Sequence, residues 1–212
     1  MEFDRLIQLL ERVLQSPLPG KTAQMNMSPV PIDMRRFNIE LPVNYRKSGV
    51  LILFYPDKNA SYFPLIKRPE YVGFHSGQVA FPGGKMEIND ENIVQTALRE
   101  AEEEVGVDRR LVQVLGKLSD LYIPTSNFLV SPIIGFLDSK PDFIPEAKEV
   151  SRVIRTELPL LLNPAIKKRK VLALGPNLNL DTPYFDIDGE VVWGATAMIL
   201  SELIQVLQPA EK

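Results

Sequence analysis

Four glutamates occupy the five positions from Glu100 to Glu104, and three of them, Glu100, Glu103 and Glu104, stand at i, i+3 and i+4. On a helix that spacing sends three carboxylates out of one face within a single turn. Like charges so placed cost a helix about 0.2–0.5 kcal/mol per pair, so the run is either a solvated face or an arrangement worth keeping because a cation sits among the oxygens. Carboxylate oxygen selects a hard divalent ion, Mg²⁺ or Mn²⁺. With one histidine, His75, and no cysteine, the chain offers little from which to build a softer metal cluster.

The element that must carry these groups is legible from its pattern. Ile93, Val94, Ala97, Leu98, Ala101 and Val105 form an apolar stripe at 3.6-residue spacing, with the glutamates off it. Asn92 is a candidate N-cap with Gln95 reaching back to it, and Gly106 is placed to end the helix, so the pattern predicts a helix over 93–105. Gly83 and Gly84 precede it, and without side chains their backbone can approach a phosphate or a metal closely. Asp90 and Glu91 belong in the intervening loop, because a helical Glu91 would lie about 12 Å along the axis from Arg99.

The stretch from Gly83 to Val107, GGKMEINDENIVQTALREAEEEVGV, resembles the Nudix box, Gly-x5-Glu-x7-Arg-Glu-U-x-Glu-Glu-x-Gly-U with U aliphatic. Arg99, Glu100, Ala101, Glu103, Glu104, Gly106 and Val107 match it. The loop carries one extra residue. Six positions after Gly84 lies Asp90 and eight before Arg99 lies Glu91, so either can fill the first acidic position. The resemblance implies hydrolysis of a pyrophosphate bond, with Mg²⁺ or Mn²⁺ held by Glu100, Glu103, Glu104 and the Gly84 carbonyl, and Arg99 orienting the glutamates.

Upstream, KRPEYVGFHSGQVAFPGGK, from Lys67 to Lys85, is similar to the segment before the box in the coenzyme A pyrophosphatase branch of that superfamily. Lys67, Arg68, His75, Gly77, Val79, Phe81, Pro82, Gly83 and Gly84 match; Gln78 departs, as does Gly73, where the branch has a second arginine. This implies coenzyme A or an acyl derivative as substrate, cut to 4′-phosphopantetheine and adenosine 3′,5′-bisphosphate. Lys67, Arg68, His75, Phe81 and Gly83 would lie on the substrate side, His75 either as a hydrogen-bonding brace or in direct contact. Two alternatives stand beside this: another nucleoside diphosphate derivative, such as ADP-ribose or a dinucleotide, favoured by Gly73, and a regulator that binds a nucleotide without cleaving it. Further along, Glu146 and Glu149 lie where some members place a general base, and Glu149 precedes a valine as in the family pattern. Trp193-Gly194-Ala195-Thr196-Ala197 resembles the family's closing Trp-Gly-x-Thr-Ala. From about 48 to 203 the resemblance implies an α/β/α sandwich, with a mixed curved sheet, the box as loop-helix-loop on one side and the C-terminal helix on the other.

The 212 residues, 45% hydrophobic and 24% charged, suffice for one good core. We expect an N-terminal helix and extended approach over 1–44 and a main domain over 45–206. A net charge of −3 argues against nucleic acid or anionic membrane and for a small-molecule partner. Zero cysteines exclude disulfides and thiol catalysis. With acidic Glu2 and Asp4 near the start and no apolar run near ~20 residues, the expectation is a cytoplasmic protein.

The remaining elements follow from period and punctuation. An amphipathic helix is predicted over 3–15, its stripe packing on its own subunit or serving a homodimer. The proline-bearing 21–44 reads as extended, with Arg35 and Arg36 either solvated or reaching a phosphate. Strands are predicted over 48–55, 62–67, 111–121, 128–137 and 150–154, then a leucine-rich turn or helix from Glu157. Lys167 to Lys170 form a basic run, read as a solvated tip or a contact for the 3′-phosphate of coenzyme A, before a final hairpin and helix.

Overall fold

A computed structural model describes residues 2–37, 40–58, 60–70, 76–175 and 178–208. Gly73 and His75 lie outside the described residues. The chain is organised by strand β1, Arg46–Asp57, whose stretch from Val50 to Phe54 is continuously apolar because both of its faces are covered. Its two sides feed two cores. Leu51, Leu53 and Tyr55 pack with Ala97, Leu98, Ala101 and Val105 of helix α3, Ile93–Val105. Ile52 and Phe54 face the other way, into a cluster with Leu6 and Leu10 of helix α1, Phe3–Val13, and with Ala197, Leu200 and Leu203 of the last helix, Gly194–Leu207. Each fully buried leucine or isoleucine among them contributes about 1.5–3 kcal/mol. A helix above and a helix below a sheet is the predicted α/β/α sandwich.

The sheet is mixed. Strand β1 pairs antiparallel with β2, Ala60–Lys67, and with β4, Gly83–Lys85. It runs parallel to β7, Phe128–Phe136, in unbroken register from Arg46 opposite Phe128 to Phe54 opposite Phe136. Short strands β3, Val79–Ala80, and β8, Arg152–Glu157, flank β2, while β5, Gln113–Lys117, and β6, Leu121–Ile123, flank β7. A second sheet has the order β11–β10–β9, from Glu190–Val192, Leu178–Ile187 and Lys167–Gly175. Among the described residues no helix is long and apolar enough to cross a membrane.

Several expectations need correction. The 21–44 segment is not wholly extended: Lys21–Met25 form a short helix, α2, and Met34–Phe37 a 3₁₀ turn. Burial explains α2, since Gln24 donates to the buried Glu202 at 2.8 Å, which also accepts from the Gly20 and Ser119 amides at 3.2 Å. A buried carboxylate needs such donors, and here they fix α2 against the last helix. The basic run is no tip. It opens β9, where Lys168 and Arg169 pair with Asp186 and Asp181 of β10, each at 2.6 Å. The strand expected from Val150 begins at Arg152, because Val150 closes a turn by donating to the Glu146 carbonyl at 2.8 Å. The stripe of α1 is covered by its own chain, with Leu6 and Leu10 fully buried and Phe3 edge-on to Phe136 at 6.1 Å.

Candidate active site

Glycines let three layers of backbone meet at the start of the site. In the β1–β4 ladder Val50 faces Gly83 and Gly49 faces Gly84. A Cβ on Gly49 would sit 2.6 Å from the Ile93 carbonyl oxygen, and one on Gly83, whose φ is +153°, would sit 2.4 Å from the Gly49 carbonyl oxygen. Only glycine permits that approach, which lays the first turn of α3 on β1. Gly84 lies against the Glu100 carboxylate: a Cβ there would be 2.4 Å from it.

Helix α3 begins where the Asn92 side chain accepts from the Val94 and Gln95 amides, at 2.9 and 3.1 Å, and ends on Gly106 in the left-handed region. Arg99 is its hub. Nε and Nη2 donate to the two oxygens of Asp90 at 2.9 and 3.0 Å, Nη2 also reaches the Lys85 carbonyl at 3.2 Å, and Nη1 lies 2.9 Å from Glu100 and 3.0 Å from Glu103. The loop acid that meets Arg99 is therefore Asp90, while Glu91 is exposed. Asp90 also accepts from the Thr96 hydroxyl at 2.9 Å and the Glu87 amide at 2.8 Å. The fork of hydrogen bonds from Arg99, outweighing burial, holds the Asp90 carboxyl well below the usual carboxylate range.

The three glutamates have three different environments. Glu104 is 1% exposed, accepts from the Gly83 amide at 2.8 Å and lies 3.6 Å from Arg68. Burial pushes its carboxyl up to about 7, against the opposing pull of that amide and Arg68. Glu100 is half-buried and raised as well, by burial first, with Arg99 opposing and Glu103 and Glu149 adding to the rise. Glu103 is 57% exposed.

The NUDIX domain family model matches residues 45–166, more than half of the chain. The chain belongs to the Nudix family. The Yersinia pestis (strain Pestoides F) protein "Uncharacterized Nudix hydrolase NudL" is 35% identical over 144 residues, 66% of this chain and 70% of that one, and NudL of Yersinia pseudotuberculosis serotype O:1b (strain IP 31758) matches to the same extent. A solved MutT/nudix family structure from Enterococcus faecalis is similar at 15% identity with a TM-score of 0.49, covering 80% of this chain and 65% of that one. The protein is an enzyme, a Nudix pyrophosphatase.

Nudix hydrolases work with divalent metal ions. The donors here fit such an ion in kind: all are oxygens, and Gly84 leaves its backbone open to the Glu100 carboxylate. They are not gathered, however. Among the described residues no three acidic or histidine side chains come together as a cation-binding group, because Arg99 takes Glu100 and Glu103 while Glu104 faces Gly83.

Beside the Nudix helix opens a cleft of about 370 Å³ lined by Lys67, Arg68, Glu70, Ser151, Arg152 and Glu190. A second cavity of about 310 Å³, walled by Gly77, Leu172, Ala173, Val191 and Trp193, shares Glu190 with it. Of the residues predicted for substrate, Lys67 and Arg68 line the cleft, and Gly83 supports Glu104 through its amide. Phe81 does not line either cavity: it is 2% exposed, packed on Phe63 with ring centroids 6.2 Å apart, because the short connection between β3 and β4 turns it into the core. His75 lies outside the described residues. Glu149 is exposed, on a loop fastened to α3 by the amides of Ile144 and Glu146, which donate to the Val105 and Glu104 carbonyls at 2.9 Å, and its charge is felt by both Glu100 and Glu104. Sequence reasoning missed Arg152 and Glu190. No local signal marks them: Arg152 is set opposite Lys67 by the pairing of β2 with β8, and Glu190 comes from β11 of the second sheet.

Proposed function

We propose that the enzyme hydrolyses the pyrophosphate bond of coenzyme A or an acyl-CoA, releasing 4′-phosphopantetheine, free or acylated, and adenosine 3′,5′-bisphosphate. The observation that supports it most is Arg68, which lines the cationic cleft and reaches the buried Glu104 at 3.6 Å, so that phosphates held in the cleft lie beside the Nudix helix. The likeness of the Lys67–Lys85 segment to the coenzyme A branch supplies the substrate. Glu100, Glu103, Glu104 and the Gly84 carbonyl would hold Mg²⁺ or Mn²⁺ through the carboxylate oxygens that Arg99 and the Gly83 amide do not occupy, and the ion would offset phosphate charge and lower the pKa of a bound water.

The chain's own groups do the rest. Asp90 holds Arg99, and Arg99 holds Glu100 and Glu103 in place. Lys67 and Arg68 bind phosphate oxygens. Glu149 takes the proton of the attacking water, whose oxygen ends on one phosphorus while the bridging oxygen leaves with the other.

Product analysis tests this. Incubation of coenzyme A with the enzyme and Mg²⁺ or Mn²⁺ should release adenosine 3′,5′-bisphosphate. Cleavage of ADP-ribose or a dinucleotide without that product would replace the substrate, and binding of coenzyme A without its turnover would overturn the coenzyme A reading.

A further inference from the structure

Lys67 and Arg152 are cross-strand neighbours at the ends of β2 and β8. Both rest on one carboxylate oxygen, Oε1 of Glu190, at 3.0 and 3.1 Å, and Arg152 also lies 3.3 Å from Asp188. A single oxygen cannot use the donors of an ammonium and a guanidinium together, which number three and five. The side chains stay partly open to the cleft, at 27% exposure for Lys67, 44% for Arg152 and 21% for Glu190. Glu190 stands on the wall between the two cavities, so it has space on either side.

We propose that Lys67 and Arg152 form a subsite for a phosphomonoester that the substrate carries away from the bond to be cut, with Glu190 as the internal counter-ion it displaces. The selection is electrostatic. A phosphomonoester brings a charge of about −1.5 to −2 and three acceptor oxygens, more than the one carboxylate it replaces, whereas a singly charged diester phosphate gains little by the exchange. Ser151 steadies the strand ends by donating its hydroxyl to the Lys67 carbonyl at 2.9 Å. In the basic run Lys168 and Arg169 each have a carboxylate of their own, Asp186 and Asp181, whereas Lys67 and Arg152 share one oxygen of Glu190, which makes them the better receptor. The choice of ligand rests on the coenzyme A reading, since coenzyme A carries a 3′-phosphate of this class.

Calorimetry on the full chain separates the two ideas. Adenosine 3′,5′-bisphosphate should bind about tenfold more tightly than adenosine 5′-monophosphate. Arg152→Ala should abolish most of that preference, Arg152→Lys should keep part of it, and Glu190→Gln should strengthen the bisphosphate several-fold and the monophosphate less. Equal binding of the two nucleotides by the unaltered protein overturns the subsite, as does inorganic phosphate binding as tightly as the bisphosphate, or an Arg152→Ala loss shared equally by both. In turnover, Arg152→Ala should lower the kcat/KM ratio of coenzyme A to 3′-dephospho-coenzyme A through KM. Should neither be cut while the bisphosphate preference persists, the coenzyme A reading falls and the subsite stands.

Discussion

Two clusters of charge, one under the Nudix helix and one across the cleft, use the same kinds of group and differ in burial and geometry. Asp90 meets Arg99 with both oxygens in a parallel fork, the side chains only 5% and 16% exposed. Glu190 offers one oxygen to two cations in a half-open cleft. The first cluster is a fixed brace for the glutamates, because breaking a buried pair strands a charge away from water. The second is exchangeable, because water and incoming anions can take over its partners. On the proposed reading, site geometry is set by the first and ligand entry by the second.

The comparison can be broken most directly at Asp90. Asp90→Ala should cost about 3–5 kcal/mol and lower the Tm by roughly 6–20 °C. Glu91→Ala, at an exposed neighbour, should stay within about 0.5 kcal/mol, and equal losses would show that the brace is not specific to Asp90. Next comes Gly84→Ala. Its Cβ would meet the Glu100 carboxylate at 2.4 Å, a flexible side-chain end, so the fold should hold while kcat falls roughly 100-fold through misplacement. Unchanged kcat would remove Gly84 and Glu100 from the site.

A smaller effect lies in pH. Asp90 is held below its unfolded value, so its contribution is complete above that value and is lost as pH falls through and beneath it. Thermal unfolding of Asp90→Asn between about pH 5 and pH 3 should therefore show a shallower decline than the unaltered chain, by at most about 1.4 kcal/mol per pH unit. The smallest effect is expected in the cleft: Glu190→Ala should change stability by less than about 1 kcal/mol. A loss as large as that of Asp90→Ala would make the cleft cluster a second brace.

The Nudix helix was legible from sequence to the residue, because its stripe, cap and terminating glycine are all local. Counting could not choose between Asp90 and Glu91; that needed the reach of Arg99 across the loop. Helix α2 left no local signal, as it is held by Glu202, 178 residues from Gln24. That the basic run opens a strand and is not a tip was hidden for a similar reason, its partners Asp181 and Asp186 lying on the returning strand. Glu190 lies 123 residues from Lys67 and is brought to it by the second sheet. The three glutamates share a helix face as their spacing demands, yet sequence gave no sign that one would be buried, one half-buried and one exposed.

Glu103 offers the most direct test of the central claim, that this acidic helix turns the cleft into a hydrolase. Being 57% exposed, it can be changed to glutamine with stability held within about 0.5 kcal/mol. With Mg²⁺ or Mn²⁺ present, Glu103→Gln should release adenosine 3′,5′-bisphosphate from coenzyme A several orders of magnitude more slowly while still binding that product. Release at the rate of the unaltered enzyme would contradict the account.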